Sequence, residues 1–385
     1  MSAPDARNRF LTDALRLLES AVAPHGIRAS TTDLSNYGAV FARDGIMAGA
    51  AGMMANNSVV LAGFVRTLET LRLHQGTQGQ IPSNVTLMPD GSHRVSFGRL
   101  SPKIDAATWY LIGVGWGIRW GLLNASEWFP SVHKTVELLN GLEYNGRHWI
   151  YVPQGGNWAD EYPIDGYTLY DQVLRSWGLA LCAEAFDQSE WHLKAQTIRD
   201  SLETAFAMKH HWAASVYPAG RSERFDLAAH TLLSFLFADG SSSAHNWQNL
   251  LREQLTRHTP QLPGAFSPTI TPEDPDWPAL QRFHLFGFKN QPYCYHNGGI
   301  WYIWLGWAGL ALQINQQADL RDLLRNEALQ AASTLPQWDF PEYLHGQTLQ
   351  PGGTPHLCFT AAGMIFLFAK PTDYKLLTPE WNRSN

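Results

Sequence analysis

The chain has 385 residues, of which 45% are hydrophobic and only 16% charged, with a net charge of -6. These values describe a large core under a thin polar skin, and without a basic block they argue against nucleic-acid binding. Three widely spaced cysteines (Cys182, Cys294, Cys358) with no CxxC pair argue against a disulfide framework or structural zinc and fit a reducing cytoplasm, as does a Met1–Arg9 stretch without the apolar run of a signal peptide.

Apolar periodicity predicts helices at 6–22, 43–55, 57–74, 104–121, 127–140, 167–187, 188–209, 225–237, 242–257, 295–314, 316–334 and 356–369, with few strands. Leu11, Leu15 and Leu18 set the helical spacing in the first. Asp5, Ser126, Ser189 and Ser243 stand where N-caps would. The segments alternate in character. Those at 43–55, 104–121, 167–187, 295–314 and 356–369 are rich in Gly, Ala and aromatics on nearly every side. Their partners carry a charged face, such as Glu190, Lys194, Arg199 and Glu203 in one and Asp319, Arg321, Asp322 and Arg325 in another. All-apolar helices are buried and amphipathic ones face water, so the alternation predicts an all-α (α/α)6 barrel. One ring of repeated hairpins would occupy residues 1–385 as a single domain, where length alone suggests two or three. The most apolar run, 298–314, is too short and too rich in Gly and Trp for a membrane span and reads as a buried helix.

Long loops precede five of the inner helices, at 23–42, 75–103, 140–166, 256–294 and 336–355, whereas inner-to-outer links are short. The long loops therefore gather at one end of the ring, where a functional site belongs. Each side chain singled out there has a competing structural explanation. Tyr37, a candidate for substrate binding, lies in the loop before one inner helix, which the Arg43-Asp44 pair opens, and Asp44 could bind sugar hydroxyls or simply pair with Arg43. Asp105 begins another, ahead of Trp109, and is either an N-cap or a general acid. Trp158, Asp160 and Glu161 crowd one loop and suit hydroxyl contacts, or else only shape the loop. Tyr295, His296, Asn297 and Trp301 flank two glycines, and the histidine could be structural. Glu342 sits among Trp338, Phe340 and Tyr343, a setting that makes a freely exposed acid unnatural. Two separated carboxylates among aromatics are what glycosidic cleavage needs, one to protonate the leaving oxygen and one to activate water. Sixteen tryptophans suit sugar faces as well as a helical core. No HExxH, GxSxG or P-loop is present; Gly113-Val114-Gly115-Trp116-Gly117 lies within a helix and reads as a packing surface, and no metal or cofactor is expected.

These landmarks resemble the six-hairpin glycosidases, most closely the neutral/alkaline invertases. Tyr295-His296-Asn297-Gly298-Gly299 with Trp301 is similar to that family's YHNGG-x-W segment. Phe340-Pro341-Glu342-Tyr343 with Gly346 is similar to WPEYYDG, Ile104-Asp105-Ala106 with Trp109 to VDSG-x-W, and Arg43-Asp44 to its RD pair. The resemblance spans about residues 40–370 and implies an inverting hydrolase with Asp105 as general acid and Glu342 as general base. Arg43-Asp44-Gly45 is nearer the RDG of amylo-α-1,6-glucosidase-like proteins, and His345 replaces the Asp of WPEYYDG, so a debranching-type or glucosylglycerate-type α-glucosidase is an alternative to sucrose cleavage. A sugar epimerase relying on His296, His345 or His356, or a non-catalytic carbohydrate-binding protein, are further alternatives. The expected partner is a small saccharide, with neither nucleic acid nor membrane; a homo-oligomer is left open.

Overall fold

Helices apolar on every side must be enclosed, and helices with one charged face must border water. The computed structural model, which describes residues 3–34, 36–99, 101–143, 145–238, 242–257, 260–283, 287–370 and 373–380, follows that rule. Helices α2 (Ala42–Met54), α4 (Ile104–Arg119), α6 (Leu169–Phe186), α8 (Leu227–Leu236), α11 (Tyr302–Ile314) and α13 (Cys358–Leu367) form an inner ring. Each packs against the next, and α13 returns to α2. Every residue of α13 is buried. The outer layer is α1 (Ala3–Ala21), α3 (Ser58–Leu73), α5 (Ala125–Asn140), α7 (Ser189–Phe206), α9 (Trp247–Arg257) and α12 (Ala318–Thr334). In α7 only Trp191, Ala195, Ile198, Leu202 and Phe206 are buried, a single stripe at helical spacing. Because α1 packs against α13, the first and last helices form the hairpin that closes the ring. The predicted (α/α)6 architecture is therefore the observed one.

Close packing of the inner helices explains the glycines of α4. A Cβ on Gly115 would lie 2.6 Å from the Cβ of Leu181 in α6, so the GVGWG run is a helix-packing surface. The free thiols Cys182 and Cys358 are buried in α6 and α13.

Several boundaries differ from expectation. The helix predicted from 295 starts at Tyr302, because Tyr295 and Gly298 adopt φ of +48° and +88°, outside the right-handed helical region. The caps shift by a residue or two. Asn124 accepts from the Ser126 amide at the start of α5, Gln188 precedes α7, Asp5 lies inside the first turn of α1, and Ser243 sits in a 3-10 turn ahead of α9. A five-residue helix, α10 (Trp277–Gln281), interrupts the predicted loop 256–294, of which residues 258–259 and 284–286 lie outside the described residues.

Short antiparallel strands tie the long loops together at one end of the ring, among them β1 (Val22–Ala23) with β2 (Gly26–Ile27), β6 (Tyr167–Thr168) with β7 (Ser215–Tyr217) and β8 (Gly220–Ser222), and β9 (Phe225–Asp226) with β10 (Phe266–Ser267). One sheet orders β3 (Val40–Phe41), β4 (Asn84–Leu87) and β5 (His93–Ser96), with Asn84 opposite Ser96 and Thr86 opposite Arg94. Another pairs β11 (Tyr343–Leu344) with β12 (Pro351–Gly352). At the opposite end, links such as 187–188 and 315–317 are only a few residues long. A C-terminal segment seals that end: the Leu377 carbonyl accepts the indole N–H groups of Trp116 and Trp177 at 3.0 and 3.1 Å, and the Leu376 carbonyl accepts that of Trp120 at 3.1 Å.

Candidate active site

At the loop-bearing end a cavity of about 1020 Å³ opens over the ends of the inner helices. Its walls come from segments far apart in sequence. Strand β3 runs directly into α2, placing Arg43 and Asp44 in that helix's first turn. Lys103 is the N-cap residue of α4, so Asp105 falls inside the first turn rather than at the cap. Glu342 precedes β11. Its chain direction is held by the Thr360 hydroxyl, which donates to the Pro341 carbonyl at 2.6 Å.

The two motif loops meet across their glycines. A Cβ on Gly346 would lie 2.1 Å from the Gly298 carbonyl oxygen, and the Ile300 and Leu344 backbones exchange hydrogen bonds of 2.8 and 2.9 Å. Gly353, at φ +75°, lets the carboxylate of Glu342 pass, since a Cβ there would stand 2.3 Å from Oε2.

Four carboxylates in the lining are buried, Asp44, Asp105, Glu161 and Glu342, and Asp105 and Glu342 have different anchors. Asp105, 1% exposed, accepts from Arg43 Nη1 through Oδ2 at 2.5 Å, while its buried Oδ1 has no hydrogen-bond partner among the described residues. Its side chain does not cap α4. Glu342, 5% exposed, accepts from both sides: Tyr37 Oη donates to Oε1 at 2.5 Å and the Thr354 amide to Oε2 at 3.0 Å. Burial raises the Glu342 pKa above the ordinary carboxylate range, and the hydrogen bonds from Tyr37 and Thr354 counteract part of that rise. Asp44 is pushed up to about 6 by burial and by Glu342, against the pull of Arg43.

Beneath Asp105, the buried Asp171 of α6 accepts from Asn157 Nδ2 at 2.9 Å and Thr168 Oγ1 at 2.5 Å. Burial and the Asp105 charge raise its pKa to about 7.

Aromatic and amide groups complete the floor. The His296 ring stacks on Trp301 at 5.1 Å and meets the edge of Trp158 at 4.6 Å. Burial, and then the charges of Lys103, Arg43 and Lys289, hold its pKa well below the usual value, so the imidazole is neutral with one N–H donor and one acceptor. Neither ring nitrogen, nor the Trp158 indole N–H, nor Glu161 Oε2 has a partner among the described residues. Buried polar atoms are ordinarily paired. These orphans border one cavity that a polyhydroxylated ligand would suit.

Tyr37, Arg43, Asp44, Asp105, Trp158, Asp160, Glu161, Tyr295, His296, Trp301 and Glu342 thus share one cavity. Trp109 and Asn297 do not line it. Trp109 is fully buried, donates to Tyr170 Oη at 2.9 Å and packs on Trp116 and Trp177: it is a core residue, not a sugar platform. Asn297 bonds the Ile270 amide and carbonyl and the Asn290 carbonyl, stapling two loops. His345 and His356 also lie outside the lining, with His345 Nδ1 accepting turn amides at Gln347 and Thr348.

Residues missed from sequence include Lys103, Lys289, Phe359, Arg94 and Arg99. Lys103 donates to the Gly155 and Asn157 carbonyls at 2.6 and 3.0 Å and pairs with Asp160, fastening the Trp158 loop to α4. Its place two residues before Asp105 was the available signal. Among the described residues, no group of three or more His, Cys, Asp or Glu is placed to hold a metal ion, and no helix is long and apolar enough to cross a membrane.

Known proteins share this framework. The model of the alkaline and neutral invertase family matches residues 272–361, which include the Tyr295 and Glu342 motifs. Among curated proteins, none matches the chain in sequence. Among solved structures, GH63 mannosylglycerate hydrolase from Thermus thermophilus in complex with glucose superposes with a TM-score of 0.67 at 13% identity, over 93% of this chain and 99% of that one. A wild-type glycosidase gives 0.65 at 14% identity, over 98% and 99%. A bacterial glucoamylase complexed with acarbose gives 0.66 at 13% identity, over 97% of this chain and 57% of that one. The chain shares the (α/α)6 fold of these structures, and two of its four invertase-like motifs, at Tyr295 and Glu342, lie where the family model matches, while those at Arg43 and Asp105 lie outside it.

Proposed function

We propose that the protein is a cytoplasmic inverting glycoside hydrolase that cleaves a short α-glucoside such as sucrose. Asp105 donates a proton to the glycosidic oxygen, and Glu342 takes one from the attacking water; inversion requires their carboxyls about 6.5–9.5 Å apart. The observation that carries this reading is a pair of buried carboxylates in one cavity with separate anchors. Glu342 accepts hydrogen bonds on both oxygens, which favours its ionised form, while Asp105 has Oδ1 without a partner among the described residues, open to carry a proton. Arg43, Asp44, Trp158 and His296 would hold the terminal sugar. The family match and the barrel's neighbours support the same chemistry. The epimerase alternative keeps only His296 in the cavity lining, where its lowered pKa makes it a weak base, since His345 and His356 lie outside that lining.

A second reading is favoured by one observation. The Arg43 guanidinium lies 2.5 Å from Asp105 Oδ2, whereas burial raises the Glu342 pKa, an arrangement that would make Asp105 the base and Glu342 the acid. In both readings, glucose release from sucrose, trehalose, maltose and isomaltose, with the first anomer followed by NMR, tests the class. An α-glucoside yielding β-glucose first supports inversion; α-glucose first, or no release from any sugar, overturns it.

A further inference from the structure

Period-two alternation puts Arg94 and Ser96 of β5 on one face, with their partners Thr86 and Asn84 beside them. The cavity lining takes Arg94, Ser96 and Asn84 from that face, Val95 from between them, and Arg99 from the turn beyond. The other cations of the cavity are engaged. Arg43 pairs with Asp105 and Lys103 with Asp160, while Lys289 lies 5.1 Å from the Tyr295 ring and acts electrostatically on Glu161 and Glu342. Arg94 and Arg99 are exposed to the cavity, and neither forms an ion pair with a carboxylate among the described residues. Two unpaired guanidinium groups in a chain of net charge -6 make a local positive wall. Neutral hydroxyls would leave its charge unmatched, whereas a carboxylate or phosphate matches the planar donor fork.

The position of this wall assigns it to a part of the substrate. Strand β3 leads straight into Arg43 and Asp44 on the cavity floor, and β5 lies two strands away, about 10 Å across the sheet. A terminal sugar on the floor would therefore direct its leaving group, not its own ring, toward Arg94 and Arg99.

We infer that the β5 wall is a leaving-group subsite for an anion, so that glycosides whose leaving group carries a carboxylate or phosphate are preferred over neutral analogues. The inference rests on the hydrolase reading for its turnover test, and a binding test separates the two. Two pairs of substrates differ only in charge at the leaving group: α-glucosylglycerate against α-glucosylglycerol, and sucrose phosphorylated on its fructose against sucrose. The kcat/KM ratio in at least one pair should favour the anion by about tenfold or more. It should fall toward one in Arg94→Gln and Arg99→Gln, and with added NaCl. The pair that responds distinguishes carboxylate from phosphate. Equal rates within both pairs, with Asp105- and Glu342-dependent turnover intact, overturn the anionic subsite and leave the hydrolase standing. If no glycoside is cleaved the hydrolase reading fails, and calorimetric titration of the wild-type protein with D-glycerate and inorganic phosphate decides the subsite. Binding that weakens about tenfold in the folded Arg94→Gln and Arg99→Gln proteins supports it. No binding of either anion, or binding indifferent to both substitutions, overturns it.

Discussion

Three indoles at the closed end of the barrel are matched by the C-terminal segment, whereas a cluster of buried polar groups lining the cavity at the open end is not matched. At the closed end, the indole N–H groups of Trp116, Trp120 and Trp177 all find carbonyls of the C-terminal segment. At the open end, Asp105 Oδ1, Glu161 Oε2, the Trp158 indole and both His296 nitrogens have no partner among the described residues. The same inner helices feed both ends, so helix composition does not explain the contrast. One end is finished by its own chain, and the other presents unmatched donors and acceptors in a cavity. An unmatched buried polar group costs about 1–3 kcal/mol, which makes the open end the place where stability is traded for binding.

The largest expected effect lies at the open end. Asp105→Asn and Glu342→Gln should each lower kcat on an unactivated glycoside by about 10³-fold while leaving the thermal transition near that of the wild type. A loss of less than about tenfold in either would remove that residue from the chemistry.

Tyr37→Phe should act more mildly, about tenfold in kcat/KM, and through pH. Burial raises the Glu342 pKa and the Tyr37 hydroxyl holds it partly down, so removing the hydroxyl lets it rise further. A general base works only when deprotonated. Activity should therefore be lost as pH falls through a limb above the usual carboxylate range, and Tyr37→Phe should move that limb to higher pH. An acid limb that stays in place in the variant would break the link between Tyr37 and the base.

The smallest effect on catalysis is expected at the closed end. Truncation after residue 372 leaves three indole N–H groups without acceptors and should destabilise the fold by about 3 kcal/mol or more, with KM unchanged. Chemical denaturation beside steady-state kinetics checks this. A changed KM in the folded protein would mean that the two ends are coupled.

Most of the architecture was legible in the sequence, because the difference between all-apolar and one-sided helices is a pattern of single residues. α7, with its stripe from Trp191 to Phe206, and α13, buried throughout, carry that signal plainly. The start of α11 was not legible: apolar residues run unbroken from Ile300, and the positive φ at Tyr295 and Gly298 is a property of the folded loop. For the site, Arg43, Asp44, Asp105, His296 and Glu342, which stand out in the sequence as parts of tight motifs, line one cavity. Trp109 was misplaced because a tryptophan one helical turn after Asp105 reads as neighbouring the site, yet its side chain turns into the core against Trp177. Arg94 and Arg99 are not legible as cavity residues in the sequence, because the pairing of β4 with β5 is what brings Arg94 and the turn holding Arg99 to the cavity beside Asn84.

The most direct test of the proposed division of labour uses α-glucosyl fluoride, whose leaving group needs no protonation. If Asp105 is the acid and Glu342 the base, Asp105→Asn should retain most of the wild-type rate on the fluoride while failing on an unactivated glycoside, and Glu342→Gln should fail on both. The reverse pattern would exchange the two roles, and failure of both variants on the fluoride would contradict the assignment of Asp105 as a proton donor.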